Sequence, residues 1–248
     1  MWFRTAIQVL LAVALVVLMV GPSLAGPWPR TKGEVFLSLS AEGDRDGNSY
    51  LGLYGEYGLA PRHTLGFELG HSNAGESSAM IWWQRVLDGG EGPDRLTVST
   101  GIGVLQRDGK AVPLVQAGAA WGRGLDSVPL LKRIPGGGWL AVDARVKLAA
   151  KPGDDTAIDP EAMPDALTYL TPDITAKAEV TLGLKPTQSL MLINQLRLEH
   201  RDDIGFSARL ATSFVYDFGG PAKVELGVVA PISGSGQAAL RIGTWLQF

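Results

Sequence analysis

The chain has 248 residues, 22 of them Lys or Arg and 25 Asp or Glu, for a net charge of −3. That balance offers no basic footprint for nucleic acid, and a chain without cysteine is neither a disulfide scaffold nor a lipid-anchored lipoprotein. With 32 glycines and 15 prolines in a chain that is 46% hydrophobic, the composition suits many strands joined by turns in one sizeable domain, not helices.

The first residues read as an export signal. Arg4 supplies the positive start, and Ala6 to Val20 form an apolar run interrupted only by Gln8. Gly21-Pro22 breaks the run, and Ser23-Leu24-Ala25 gives a small-residue cleavage site before Gly26. The run is short against the ~20 apolar residues a spanning helix needs. Residues 1–25 are therefore expected to be cleaved, 26–32 to form a periplasmic N-terminal tail, and 33–248 to form the folded domain.

After Gly26 the chain alternates apolar and polar residues with a period of two, the mark of strands with two unlike faces. Turn signals cut it into about twelve segments, with ten to fourteen open. In chain order they are 33–42, 49–60, 63–73, 78–87, 94–107, 110–125, 138–150, 171–186, 190–202, 205–218, 222–233 and 236–248. The clearest is Asp173 to Lys185, where Ile174, Ala176, Ala178, Val180, Leu182 and Leu184 take one face and Asp173, Thr175, Lys177, Glu179 and Thr181 the other. The first four segments and the sixth alternate less cleanly, because Gly52, Gly55, Gly58, Gly66, Gly70, Gly118 and Gly122 blur the parity. The Asp44-Arg45-Asp46-Gly47-Asn48 run reads as a tight hairpin turn, since it lacks the third ligand and closing Glu of a calcium loop. The connection from Gly124 to Gly137 is too long for a short periplasmic turn, which points to a flap or to a miscounted strand.

Alternation alone fits a soluble sandwich as well as a membrane barrel. Segment length favours the barrel, because several reach the ~9–11 residues that a tilted crossing strand needs. Aromatic placement favours it too. Phe206 opens its segment while Tyr216 and Phe218 close it on the same apolar face, and twelve steps of ~3.3 Å at a ~40–45° tilt cover about 28–30 Å. That matches an apolar band flanked by aromatic girdles. The expected fold is all-β: an antiparallel up-and-down transmembrane β-barrel.

The C-terminus carries the most specific pattern. Leu240, Ile242, Thr244, Leu246 and Phe248 alternate up to a final aromatic residue. In this the chain resembles the bacterial outer-membrane β-barrel class, with Thr244 a departure from the larger apolar group usual there. The resemblance covers the last nine or so residues. It implies an outer-membrane location, contact with outer-membrane lipid and lipopolysaccharide, and recognition of Leu240, Ile242, Leu246 and Phe248 by the barrel-assembly machinery.

The inward face is the main candidate for function. Parity points Arg145, Lys147, Lys177, Glu179, Arg197, Glu199, Arg209 and Arg241 into the lumen, together with Glu34, Glu56, Lys223 and Glu225. A barrel of this size has room for a narrow aqueous path whose charges select solutes. The alternative is that opposite charges on neighbouring strands pair and plug it, with Lys177, Glu179, Arg197 and Glu199 well placed to do so. The stretch Lys151 to Leu170, with Asp154, Asp155, Asp159, Glu161 and Asp165, is expected to be an outer loop. No cofactor, metal-ligand spacing or catalytic set is read; of the three histidines, His71 beside Ser72 comes nearest to a lipid hydrolase, but adjacent strand residues point to opposite faces. Two functions stay open: a porin-like passive channel for a small hydrophilic solute, and a closed structural or surface-interaction barrel.

Overall fold

The computed structural model describes residues 26–89, 92–107, 110–151, 171–202 and 205–248. The proposed export signal and the acidic residues from Asp154 to Asp165 lie outside those residues. Twelve strands follow in chain order: β1 (Val35–Asp44), β2 (Ser49–Ala60), β3 (His63–Ser72), β4 (Ser77–Val86), β5 (Asp94–Arg107), β6 (Lys110–Gly124), β7 (Gly138–Lys151), β8 (Thr171–Leu184), β9 (Leu190–Arg201), β10 (Gly205–Asp217), β11 (Ala222–Ser233) and β12 (Ala239–Gln247). Each pairs antiparallel with the next, and β12 returns to β1, so the sheet is a closed barrel. This is the up-and-down architecture that the alternation predicts, at the predicted count of twelve.

Closure rests on the β1–β12 seam. The register runs from Phe36 opposite Gln247 to Asp44 opposite Ala239. Val35 N donates to Phe248 O and Phe248 N to Val35 O, both at 3.0 Å. Both described ends of the chain thus meet at one end of the barrel, here called the inner mouth. β1 begins later than its alternation suggests because Glu34 closes a turn on Thr31, with Glu34 N donating to Thr31 O at 2.9 Å. The Gly124–Gly137 connection hides no strand. It contains a single 3-10 turn at Leu131–Arg133 and folds back by hydrogen bonds from Leu125 N to Gly138 O and from Gly136 N to Lys185 O.

Alternation assigns the faces. Leu39, Ile81, Ile102, Phe214, Leu226 and Leu240 lie on the outside and are exposed, Ile102 by 70% and Leu240 by 72%. An apolar belt of this extent is costly in water and is the surface a membrane barrel offers to lipid. Phe206 stands exposed at one end of β10, with Tyr216 and Phe218 in edge-to-face contact at 5.0 Å at the other. No described helix is long and apolar enough to cross a membrane; the backbone groups of the strands are satisfied around the ring, as a sheet in hydrocarbon requires.

The inward face changes character along the axis. Near the inner mouth Phe36, Trp139, Met191, Ile193, Val215 and Trp245 form one buried cluster, a filled core and not a water-lined wall. Trp139 is 2% exposed. Its replacement by Ala is expected to cost about 3–5 kcal/mol, as for other buried aromatics, and to lower the denaturant midpoint at which the refolded barrel loses its heat-modifiable gel band.

Candidate functional site

Above the buried cluster the lumen carries charge in three tiers. The first, at the outer mouth, centres on Glu76 in the β3–β4 turn. It accepts from Arg107 of β5 at 2.9 and 2.7 Å and lies 3.5 Å from Arg201 of β9.

The second tier centres on Glu42 of β1. Arg241, on the neighbouring β12, donates to it at 2.6 Å. Arg197 also reaches it, at 3.1 Å, from β9, which lies four strands away around the ring. Arg241 continues to Glu225 at 2.8 Å, and Glu225 accepts from the Trp245 indole at 3.1 Å. On the opposite wall the register sets Lys177 against Glu199 and Glu179 against Arg197, and both couples form ion pairs, at 3.2 and 3.7 Å.

The third tier lies deeper. Glu68 of β3 faces Lys147 at 3.5 Å and Arg145 at 3.7 Å, both from β7, again four strands around the barrel. Arg145 also donates to Asp143 at 2.5 Å. Below this tier a polar cavity of about 50 Å³ is bounded by Tyr54, Trp82, Gln84, Ser99, Gln116 and Asp143, enough for one or two water molecules.

The floor of the lumen is built by residues 26–32. This segment, expected as a tail, enters the inner mouth and packs inside it. Arg30 is buried and pairs with Glu56, itself buried, which also accepts from Tyr54 at 2.5 Å. The Arg30 guanidinium stacks 4.5 Å over the Phe36 ring, and its backbone N–H donates to Thr64 Oγ1 at 3.1 Å. Burial works against the charge of Arg30, but Glu56 more than offsets it and holds the guanidinium above its usual pKa. Pro27 is fully buried.

Of the residues singled out by parity, Arg145, Lys147, Lys177, Glu179, Arg197, Glu199 and Arg241 all stand in these tiers. Arg209 is exposed and lies apart from them, near Gly236 of the β11–β12 loop. Neighbour pairing of Lys177 with Glu199 and Glu179 with Arg197 follows from adjacent strands in register. The bridges across the lumen, and the parts of Glu42, Glu68, Glu76, Asp143, Arg107, Arg201 and Arg30 in it, do not follow from the alternation. His71 Nδ1 lies 2.8 Å from Ser77 across the β3–β4 hairpin, not against Ser72. Among the described residues no carboxylate orients that ring, and no cluster of metal-ligating side chains occurs. Leu240, Ile242 and Phe248 face outward and are exposed.

The barrel is similar to solved porins. It superposes on a NanC porin with a TM-score of 0.58 at 9% identity, over 85% of this chain and 98% of that one. It superposes on a KdgM porin with a TM-score of 0.52 at 10% identity, over 86% and 99%. A KdgM porin in complex with disordered oligogalacturonate gives 0.52 at 10% identity, over 87% and 99%. At such identities the likeness is one of fold. No protein-family model matches the chain, and no curated protein matches it in sequence.

Glu42 is the junction of the widest charge network, so Glu42→Ala strips two guanidiniums of a shared partner while leaving Glu225 to Arg241. The expected loss is about 1–3 kcal/mol, between a buried and a water-screened pair, read as a lower unfolding midpoint whose deficit against the unaltered chain shrinks as added salt screens these charges.

Proposed function

We propose that this chain is a porin-like outer-membrane channel that admits small hydrophilic solutes from the outer mouth. The observation that carries this reading is the wetness of the upper lumen. The side chains of Lys177, Glu199, Arg145, Glu179 and Arg197 remain 43, 32, 31, 31 and 26% exposed although they face the interior. Neither sign dominates the wall. Paired cations and anions at such density suit solutes that carry hydroxyls together with a carboxylate, and repel apolar molecules. The KdgM porin, of like fold, has been captured with oligogalacturonate; an acidic saccharide fits the chemistry of this lumen in the same way.

A second reading is favoured by the cross-lumen bridges from Glu42 to Arg197 and from Glu68 to Lys147. On that reading the barrel is closed and acts through its outer loops, with the ion pairs as internal bracing. In either case we place the chain in the outer membrane after removal of residues 1–25, in contact with lipopolysaccharide. Its outward Leu240, Ile242, Leu246 and Phe248 would be read by the barrel-assembly machinery.

Single-channel recording of the refolded mature chain in a planar bilayer separates the two. Stepwise openings of low conductance are expected, since residues 26–32 occupy the inner mouth, and Lys177→Glu or Arg197→Glu should move the reversal potential toward cation preference, because each exchanges a positive for a negative group on the pathway wall. A folded barrel that shows neither openings nor any response to these substitutions leaves the closed reading standing.

A further inference from the structure

Residues 26–32 fill the inner mouth without joining the sheet. Pro27 and Pro29 have no backbone N–H, and the segment lies outside every strand. Its attachments are those of a bound peptide. Arg30 is taken up by Glu56 and by the face of Phe36. Its main chain donates to the Thr64 side chain, and Gly26 O accepts from Gln84 at 3.3 Å.

The wall is cut to receive it. An added Cβ at Gly58 would strike the Thr31 carbonyl, and one at Gly122 would strike Pro27 and come within 2.6 Å of the Trp28 ring. Both glycines sit on the inward face, one on β2 and one on β6. Side chains at those two positions would occupy the space the segment now uses.

The grip is also incomplete. Arg30 Nη2 has no hydrogen-bond partner among the described residues, while Nε is held by Glu56 and Nη1 lies 3.5 Å from Glu34. A ladder strand leaves a sheet only by breaking its backbone hydrogen bonds in series, whereas this segment is held by the ion pairs of Arg30 with Glu56 and Glu34, by three side-chain hydrogen bonds and by the packing of Pro27 and Trp28, none of them a rung of the ladder.

We infer that the inner mouth is a binding site for a short arginine-bearing peptide, occupied in cis by residues 26–32, and that this segment is a removable stopper of the solute path. The stopper role rests on the channel reading above; the seat does not. With the segment in place, the path ends on Gly26, Trp28 and Arg30 beneath the small polar cavity. With it withdrawn, Glu56 and Glu34 face the space the segment has left, beside the Phe36–Trp245 cluster.

The test exploits a chain without cysteine. A Cβ at Gly26 would lie 3.7 Å from the Ala141 Cβ, within the ~3.5–4.5 Å spacing of a disulfide. Three refolded mature chains are recorded in planar bilayers: the unaltered chain, Arg30→Ala, and Arg30→Ala carrying Gly26→Cys with Ala141→Cys. Arg30→Ala is expected to raise mean conductance several-fold. The cysteine pair is expected to form its disulfide in the folded barrel, to return conductance to the unaltered level when oxidised, and to release it on reduction. Failure of the disulfide to form in a folded barrel that carries the cysteine pair with Arg30 intact overturns the seat. Conduction that is the same in all three, oxidised or reduced, overturns the stopper alone. A disulfide that forms while every sample stays silent overturns the stopper together with the channel reading.

Discussion

Everything in this molecule depends on the closure of β1 on β12. A strand edge in hydrocarbon would leave a row of unpaired N–H and C=O groups, each costing several kcal/mol. The seam from Phe36–Gln247 to Asp44–Ala239 removes that edge. Once the ring is shut, period-two alternation has a single meaning on every strand: one residue faces lipid and the next faces an enclosed space. The apolar exterior and the charged interior are two consequences of one constraint.

Closure also creates a problem that an open sheet does not have, because the interior must be disposed of. This chain does so in two ways along the axis. Toward the inner mouth it packs a core of Phe36, Trp139, Ile193, Val215 and Trp245 and adds residues 26–32. Toward the outer mouth it packs a second cluster of Met80, Trp82, Leu114 and Ala149 on one wall and keeps ionised side chains elsewhere, most of them paired and only partly buried. A charge in a narrow, low-dielectric ring is costly alone. Cross-lumen partners such as Glu42 with Arg197 and Glu68 with Lys147 let the wall stay charged without filling the space as a solid core would.

How far the sequence reveals this follows from the range of each interaction. Strand number, faces and most boundaries were legible because they depend on local alternation and turn residues; Asp94–Arg107 and Ala222–Ser233 coincide with the spans read from the sequence. Pairs between neighbouring strands were legible where register is simple, as for Lys177 with Glu199. Bridges four strands apart were not, since they depend on the width of the closed ring and on the reach of Arg and Lys. Glu42 and Glu68 lie in early segments whose flanking glycines mask the alternation. The seat of residues 26–32 left only a faint trace, Gly58 and Gly122 on the inward face, which makes sense once Thr31, Pro27 and Trp28 are placed against them.

The central claim is that the β8–β9 wall of the lumen is open to water at its charged residues and packed dry at the Met191–Ile193 cluster. Cysteine accessibility along the inward face of β9 tests it most directly, using single substitutions at Glu199, Gln195, Ile193 and Met191 in the refolded barrel and a charged, water-soluble maleimide. Ile193 and Met191 are 7 and 3% exposed. Fast labelling at 199 and 195, with labelling at 193 and 191 slower by orders of magnitude, is the result this account predicts. Rapid labelling at all four would show water along the whole of this wall and contradict it.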